Sequence, residues 1–404
     1  MKITRRDFLK FTGGLSAWTA LSMGFPRLSF ASLPTDNRFV LVILRGALDG
    51  LALAPPYGDR DYAAMRGSLA FHPPGGEDAA LDLNGFFGLH PSLDSLMPLW
   101  QAKQLAVVHA VASPYRERSH FDAQNLMENG TAHPGGTDGW LNRALSELRA
   151  TDGSAIAINQ QVPLVLQGKM SVASYAPKGA KWNADSDYMQ KMKALYGQDA
   201  LLSGSFGEGV RAQDIAMSSL PADDKMAGGK AGGAEQLYGA AQAAALFLVR
   251  EDGPRVAVLE AAGWDTHAGQ GTSHGPLANR LADLGRGLAA LPQALGNTWD
   301  KTTVVVVTEF GRTVHINGTN GTDHGTGSAA LVLGGGVRGG RVLGQWPGLS
   351  ENALYQGRDL MPTTDMRSLF RTVLYSRMGV SEASLNGVVF PESDQAPYIR
   401  DLLA

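Results

Sequence analysis

The chain has 404 residues, of which 50 are glycine, nine are histidine and none is cysteine. The empty cysteine column excludes a disulfide framework, a thiolate zinc site, an iron–sulfur cluster and a cysteine nucleophile, so any metal must be held by Asp, Glu, His or other oxygen ligands. With 44% hydrophobic and 18% charged residues and a formal net charge of −3, it is neither a disordered chain nor a nucleic-acid-binding one, and its length suits one large or two ordinary domains.

In chain order, the first segment is Thr4-Arg5-Arg6-Asp7-Phe8-Leu9-Lys10, followed by a mildly apolar stretch from Phe11 to about Phe25. This resembles the twin-arginine signal of bacterial export, whose pattern is S/T-R-R-x-F-L-K; an ordinary amphipathic start is the plainer alternative. The stretch is too short and too rich in glycine for a membrane span. Ser29 and Ala31 suit cleavage after residue 31, which removes five positive charges and one negative and leaves a net charge of −7. The resemblance implies a mature chain, 32–404, that folds first, passes through the Tat export machinery to the periplasm or beyond, and keeps no stable transmembrane span.

Short apolar runs then alternate with helical stretches. Phe39–Leu44 (FVLVIL) is predicted as a strand buried on both faces, and Arg45-Gly46-Ala47-Leu48-Asp49-Gly50 follows it. A helix over Leu93–Lys103 leads to a strand over Leu105–Val111, then to Ser113-Pro114-Tyr115-Arg116-Glu117-Arg118-Ser119-His120 and a helix over Phe121–Glu128. Residues from about 171 to 233 break the rhythm with a polar run and the small-residue tract Ala227–Gly233, and read as a helical insertion. A helix over Ala234–Val249 precedes the strand Arg255–Glu260 and the cluster Gly263-Trp264-Asp265-Thr266-His267. A helix over Pro276–Leu295 precedes the strand Thr302–Thr308 and the cluster Glu309-Phe310-Gly311-Arg312. Asp323-His324-Gly325, the strand Ala329–Leu333 and a helix over Asp365–Met378 complete the series. Strands alternating with helices argue an α/β fold, a mostly parallel sheet with helices on both faces.

In open α/β sheets the binding crevice lies outside the carboxyl ends of the strands, so the polar clusters at four strand ends are expected to converge. Together Asp49, Asp265, His267, Glu309 and His324 form an oxygen and nitrogen ligand set for a divalent ion, Zn²⁺, Mn²⁺, Mg²⁺ or Ca²⁺. Asp265 and His267 are two apart, so an extended backbone points them the same way. Ser119 stands before a helix, where backbone N–H groups and the helix dipole favour an alkoxide nucleophile. Arg45, Arg118 and Arg312 are candidates to hold a tetrahedral oxyanion. Each feature also has a plainer account: Asp49 as a turn aspartate, Asp265 as a cap beside a surface histidine, Glu309 with Arg312 as an ion pair, Asp323-His324 as a loop, Ser119 as a helix N-cap. His72, His90, His109 and His133 show no partner pattern and read as structural or surface residues. Many glycines sit beside the proposed ligands, in LDGL, GWD, FGR and DHG, where a tight turn would bring backbone close to a bound anion or metal.

The ordered set LRGALDG, SPYRERSHFDAQ, GWDTH, TEFGRT and TDHGTGSA resembles the DUF1501 family of exported bacterial proteins over nearly the whole mature chain. That family looks like a remote branch of the alkaline phosphatase and sulfatase superfamily. The resemblance implies an alkaline-phosphatase-like domain, with Asp49 as the first-strand metal aspartate, Ser119 as the nucleophile, Asp265 and His267 as the middle ligand segment, and His324 near the last metal histidine. The sequence departs from that pattern in three places. Glu309-Phe310-Gly311 replaces an Asp-His-Gly, and the middle segment is D-T-H instead of a longer D-x-x-x-H. Ala112 stands where Ala112-Ser113-Pro114-Tyr115-Arg116 would need the residue converted to formylglycine, which argues against formylglycine chemistry. The expected function is an exported metal-dependent hydrolase of a phosphate or sulfate ester, on a small molecule, glycan or lipid. The alternatives are a degenerate, non-catalytic member acting as a periplasmic binding or assembly protein, and a transferase of phosphoglycan or lipid headgroups.

Overall fold

The computed structural model describes residues 33, 35–76, 78–176, 236–393 and 396–404. The expected export signal, 1–31, and nearly all of the expected insertion lie outside the described residues. Strands β1 (Arg38–Arg45), β2 (Leu81–Asp82), β3 (Gly88–Leu89), β4 (Leu105–Ala112), β5 (Ala155–Ile158), β6 (Ala173–Ser174), β7 (Val256–Ala262), β8 (Thr302–Thr308), β9 (Ser328–Leu333), β10 (Arg341–Leu343) and β11 (Thr364–Asp365) follow one another along the chain. Nine of them form one sheet in the order β10-β4-β9-β8-β1-β7-β5-β6, with β11 also on β4. β9 pairs antiparallel with both β4 and β8, and every other pairing in this sheet is parallel. The mostly parallel α/β sheet is therefore observed, with one reversed strand. That reversal brings the start of β9, just after Asp323-His324, to the edge where β1, β4, β7 and β8 end. Ala173-Ser174, at the start of the expected insertion, instead forms an edge strand of the sheet among the described residues.

Alternation along β1 builds a core on each side. Val40, Val42 and Leu44 face a cluster that contains Leu277, Leu281, Leu284, Leu288, Leu291 and Leu295, all from the helix Pro276–Leu295. Their three- and four-residue spacing makes one apolar face, proline occupies the first helical position, and Gly296, at φ 52°, ends the helix. Phe39, Leu41 and Ile43 face the opposite cluster, where Trp140 stacks on Phe370 at 4.5 Å between ring centroids. Among the described residues no helix is long and apolar enough to cross a membrane.

Two histidines belong to the core. His109 on β4 accepts a hydrogen bond at Nδ1 from the Ala110 N–H and donates from Nε2 to the Ala54 carbonyl at 2.9 Å. His90 is held alike, by the Ser92 N–H and the Thr272 carbonyl. These partners admit only the neutral ring, and burial lowers both pKa values to about 4. Because the unfolded chain takes up these protons near pH 6.5 and the folded chain near pH 4, stability falls on acidification through that window. Each ring contributes on the order of 2 kcal/mol of that loss by pH 5, so the urea midpoint drops clearly between pH 7 and pH 5. An unchanged midpoint would contradict the neutral-core assignment.

Candidate metal centre

The helix His120–Asn129 starts just past the end of β4, with Ser119 as its N-cap. His120 enters the crevice from the first helical position and its ring stacks on Phe310 at 4.8 Å. Its Nδ1 donates to Glu309 Oε1 at 2.8 Å. His267, beyond the end of β7, directs Nδ1 at Asp323 Oδ1 at 3.2 Å, and His324, before β9, donates from Nδ1 to the Arg118 carbonyl at 3.0 Å. A carbonyl or ionised carboxylate can only accept, so each Nδ1 carries a proton, and a ring that holds no second proton presents its lone pair at Nε2.

The Nε2 atoms lie close to one another. His324 Nε2 is 3.0 Å from Nε2 of His120 and 3.0 Å from Nε2 of His267. Asp265 Oδ1 is 3.0 Å from His267 Nε2 and 3.3 Å from His324 Nε2, and Oδ2 is 3.6 Å from His120 Nε2. Two lone pairs at such a distance repel unless a proton or a metal ion lies between them, and imidazoles tethered at Nδ1 to carboxylate or carbonyl are the usual form of metal-bound histidine. His120, Asp265 and His324 place one donor atom each within 4.8 Å of one another, and His267 adjoins that trio. The donor set thus fits a metal ion. Glu309 holds His120 above the ordinary imidazole pKa in spite of burial, whereas burial and then the His120 charge lower His324. Burial raises Asp265, but the Arg312 guanidinium and the neighbouring imidazoles outweigh it and keep the carboxyl below its usual range. The Asp265 and His267 side chains remain 39% and 45% exposed, so the centre opens to solvent on one side.

The family model described as "Protein of unknown function (DUF1501)" matches residues 36–389, a span that holds every residue of this centre. The chain belongs to the DUF1501 family. No curated protein matches its sequence. Among solved structures it is similar to the phosphonate monoester hydrolase of Agrobacterium radiobacter, with 14% identity over 85% of this chain and 74% of that one and a TM-score of 0.42. It is similar also to the PsFucS1 sulfatase from Pseudoalteromonas sp., with 12% identity over 85% and 68% and a TM-score of 0.38. The alkaline phosphatase from the Antarctic bacterium TAB5 gives 12% identity over 75% and 92% and a TM-score of 0.35. These are distant likenesses and carry nothing about chemistry.

The DUF1501 chain brings together Asp265, His267 and His324 of the five ligands expected from sequence. Glu309 is fully buried one layer behind, and accepts from His120, from the Gly46 N–H at 2.9 Å and from Gln124 at 2.9 Å. Asp49 lies outside the converging donors. Its carboxylate turns back to cap Gly50–Leu53 through the Leu51 and Ala52 N–H groups and is saturated by the buried Arg66 and by Gln270. Ser119 Oγ accepts from the Asp122 N–H at 3.5 Å, an N-cap contact. Arg45 pairs with Glu128 and Glu260, Arg118 with Asp359, and Arg312 with Asp265. His120 is the residue that sequence reasoning passed over. The available signal was its place: an imidazole in the first turn of a helix that begins at a strand end already crowded with polar residues.

Proposed function

We propose that this DUF1501 protein is an exported, metal-dependent hydrolase of a phosphate or sulfate ester. The observation that carries the reading is the convergence of His120 Nε2, His324 Nε2 and the Asp265 carboxylate at a solvent-open place, with His267 Nε2 3.0 Å from His324 Nε2. His120, His324 and Asp265, with His267 beside them, would hold the ion. An imidazole-rich set favours zinc and similar transition ions over magnesium or calcium. Such an ion, when bound, polarises an ester oxygen and acidifies a bound water. Ser119, at a helix N-terminus and adjacent to His120, is the proposed nucleophile. Export rests on the Arg5-Arg6 signature.

The test is metal analysis of the purified 32–404 chain together with turnover of p-nitrophenyl phosphate and p-nitrophenyl sulfate. About one equivalent of transition metal is expected, with turnover that falls at least about 100-fold in Ser119→Ala. The internal pairing of Arg45, Arg118 and Arg312 favours a second reading, a non-catalytic binding or assembly protein. Metal without turnover would support it; absence of both sinks the hydrolase.

A further inference from the structure

Three donors of the centre sit on two separate loops, 264–267 and 322–324, and the buried side chains of Gln270 and Arg312 join them. Gln270 is fully buried. Its Oε1 accepts from the Thr266 hydroxyl at 2.7 Å and from the Thr322 hydroxyl at 2.9 Å. Thr266 lies between Asp265 and His267 in the sequence, and Thr322 precedes Asp323-His324. The amide orientation follows from its third partner: Nε2 donates to Asp49 Oδ2 at 2.7 Å, and that oxygen also accepts from Arg66. Thr322 Oγ1 passes the array onward by accepting from Arg312 Nε at 3.1 Å, while another Arg312 nitrogen donates to Asp265. The loops also touch directly, for the Thr322 N–H donates to the Thr266 carbonyl at 3.1 Å.

We infer that Gln270 is a positioning residue, a staple that sets the spacing between Asp265 and His267 on one loop and His324 on the other, with Asp49 and Arg66 fixing its amide. It touches no donor atom of the centre; it acts through the two threonines. The inference rests on the metal reading above and assigns Asp49 a role other than ligation. Outer-shell groups bonded directly to a ligand change metal affinity about 10–100-fold when removed, and the lower end of that range is the effect expected of a residue one step further out.

The experiment is titration of the metal-free 32–404 chain with Co²⁺, read by visible absorption, in the unaltered protein and in Gln270→Met, Thr266→Val and Thr266→Ser. Thermal melting of each metal-free protein runs alongside. Gln270→Met and Thr266→Val are expected to weaken Co²⁺ binding at least tenfold and to alter the absorption envelope. Thr266→Ser, which keeps the hydroxyl, stays within about threefold of the unaltered chain. Thr266→Val is nearly isosteric and keeps the test open if Gln270→Met does not fold. Equal affinities and spectra across all four proteins overturn the staple and leave the metal centre standing. Failure of the unaltered chain to bind Co²⁺ overturns both.

Discussion

Replacing His324 with alanine is expected to weaken binding of a zinc-class ion by more than about 100-fold, beyond what loss of an outer-shell partner produces, while the metal-free protein still folds. His324 is the shared member of the set, for both short Nε2 contacts are its own, one to His120 and one to His267. Without its ring those two imidazoles have no common neighbour among the nitrogens, and only the Asp265 carboxylate still lies near both. The fold should tolerate the change because the centre sits outside the apolar clusters at the sheet edge and the His324 side chain is 28% exposed. Competition between the protein and a calibrated chelator measures the affinity, and circular dichroism checks the fold. An alanine variant that binds as tightly as the unaltered chain would remove His324 from the centre and leave its Nδ1 tether to Arg118 without a function.

Much of the sheet was legible because its central strands are long and apolar. FVLVIL, LAVVHAV and TTVVVVT are buried along their length and bounded by polar clusters, so β1, β4 and β8 appear within a residue or so of their predicted limits. β5 was not legible: Ala155–Ile158 is four residues of small and medium apolar character, too short for periodicity to separate it from buried helix. The reversed direction of β9 is a tertiary fact, since a buried strand has the same composition either way. The centre was legible where the backbone alone aims a side chain, as with Asp265 and His267 on one loop. Asp49 shows the limit of that approach. An aspartate before a glycine at a strand end looks the same whether it faces the crevice or caps a helix, and here Arg66, 17 residues on, decides the matter. The glycines beside the proposed ligands are expected to bring backbone close to a bound anion or metal, yet Gly50, Gly311 and Gly325 make room for other backbone, and so do Gly46 and Gly321. A Cβ on Gly46, at φ 119°, would lie 2.8 Å from the Asp265 nitrogen, and one on Gly321 would lie 2.4 Å from the His267 carbonyl group. They let the loops meet closely enough for the donors to converge.

Replacing Glu309 with glutamine is expected to destabilise the fold by about 1–3 kcal/mol, the range for weakening or losing buried hydrogen bonds, and to lower the His120 pKa. Glu309 Oε1 accepts from Gly46 after β1 and from His120 and Gln124 on one helix, and Oε2 lies 2.9 Å from the Thr308 hydroxyl at the end of β8, whose proton also faces the Leu44 carbonyl at 2.7 Å. The carboxylate gives these donors a charged acceptor; an amide that keeps its oxygen toward them offers only a neutral one, and turned the other way it sets its NH₂ against them. The sign of the second effect follows from the first cause of the His120 shift, the hydrogen bond that His120 donates to Glu309, which raises it. With a neutral acceptor the imidazolium loses that stabilisation and the ring titrates at lower pH. Urea unfolding measures the stability, and ring proton shifts followed against pH in the metal-free protein measure the His120 titration. A variant with the unaltered midpoint and the unaltered titration would mean that Glu309 neither ties these elements together nor sets the charge of His120, and the two-layer description of the centre would have to be abandoned.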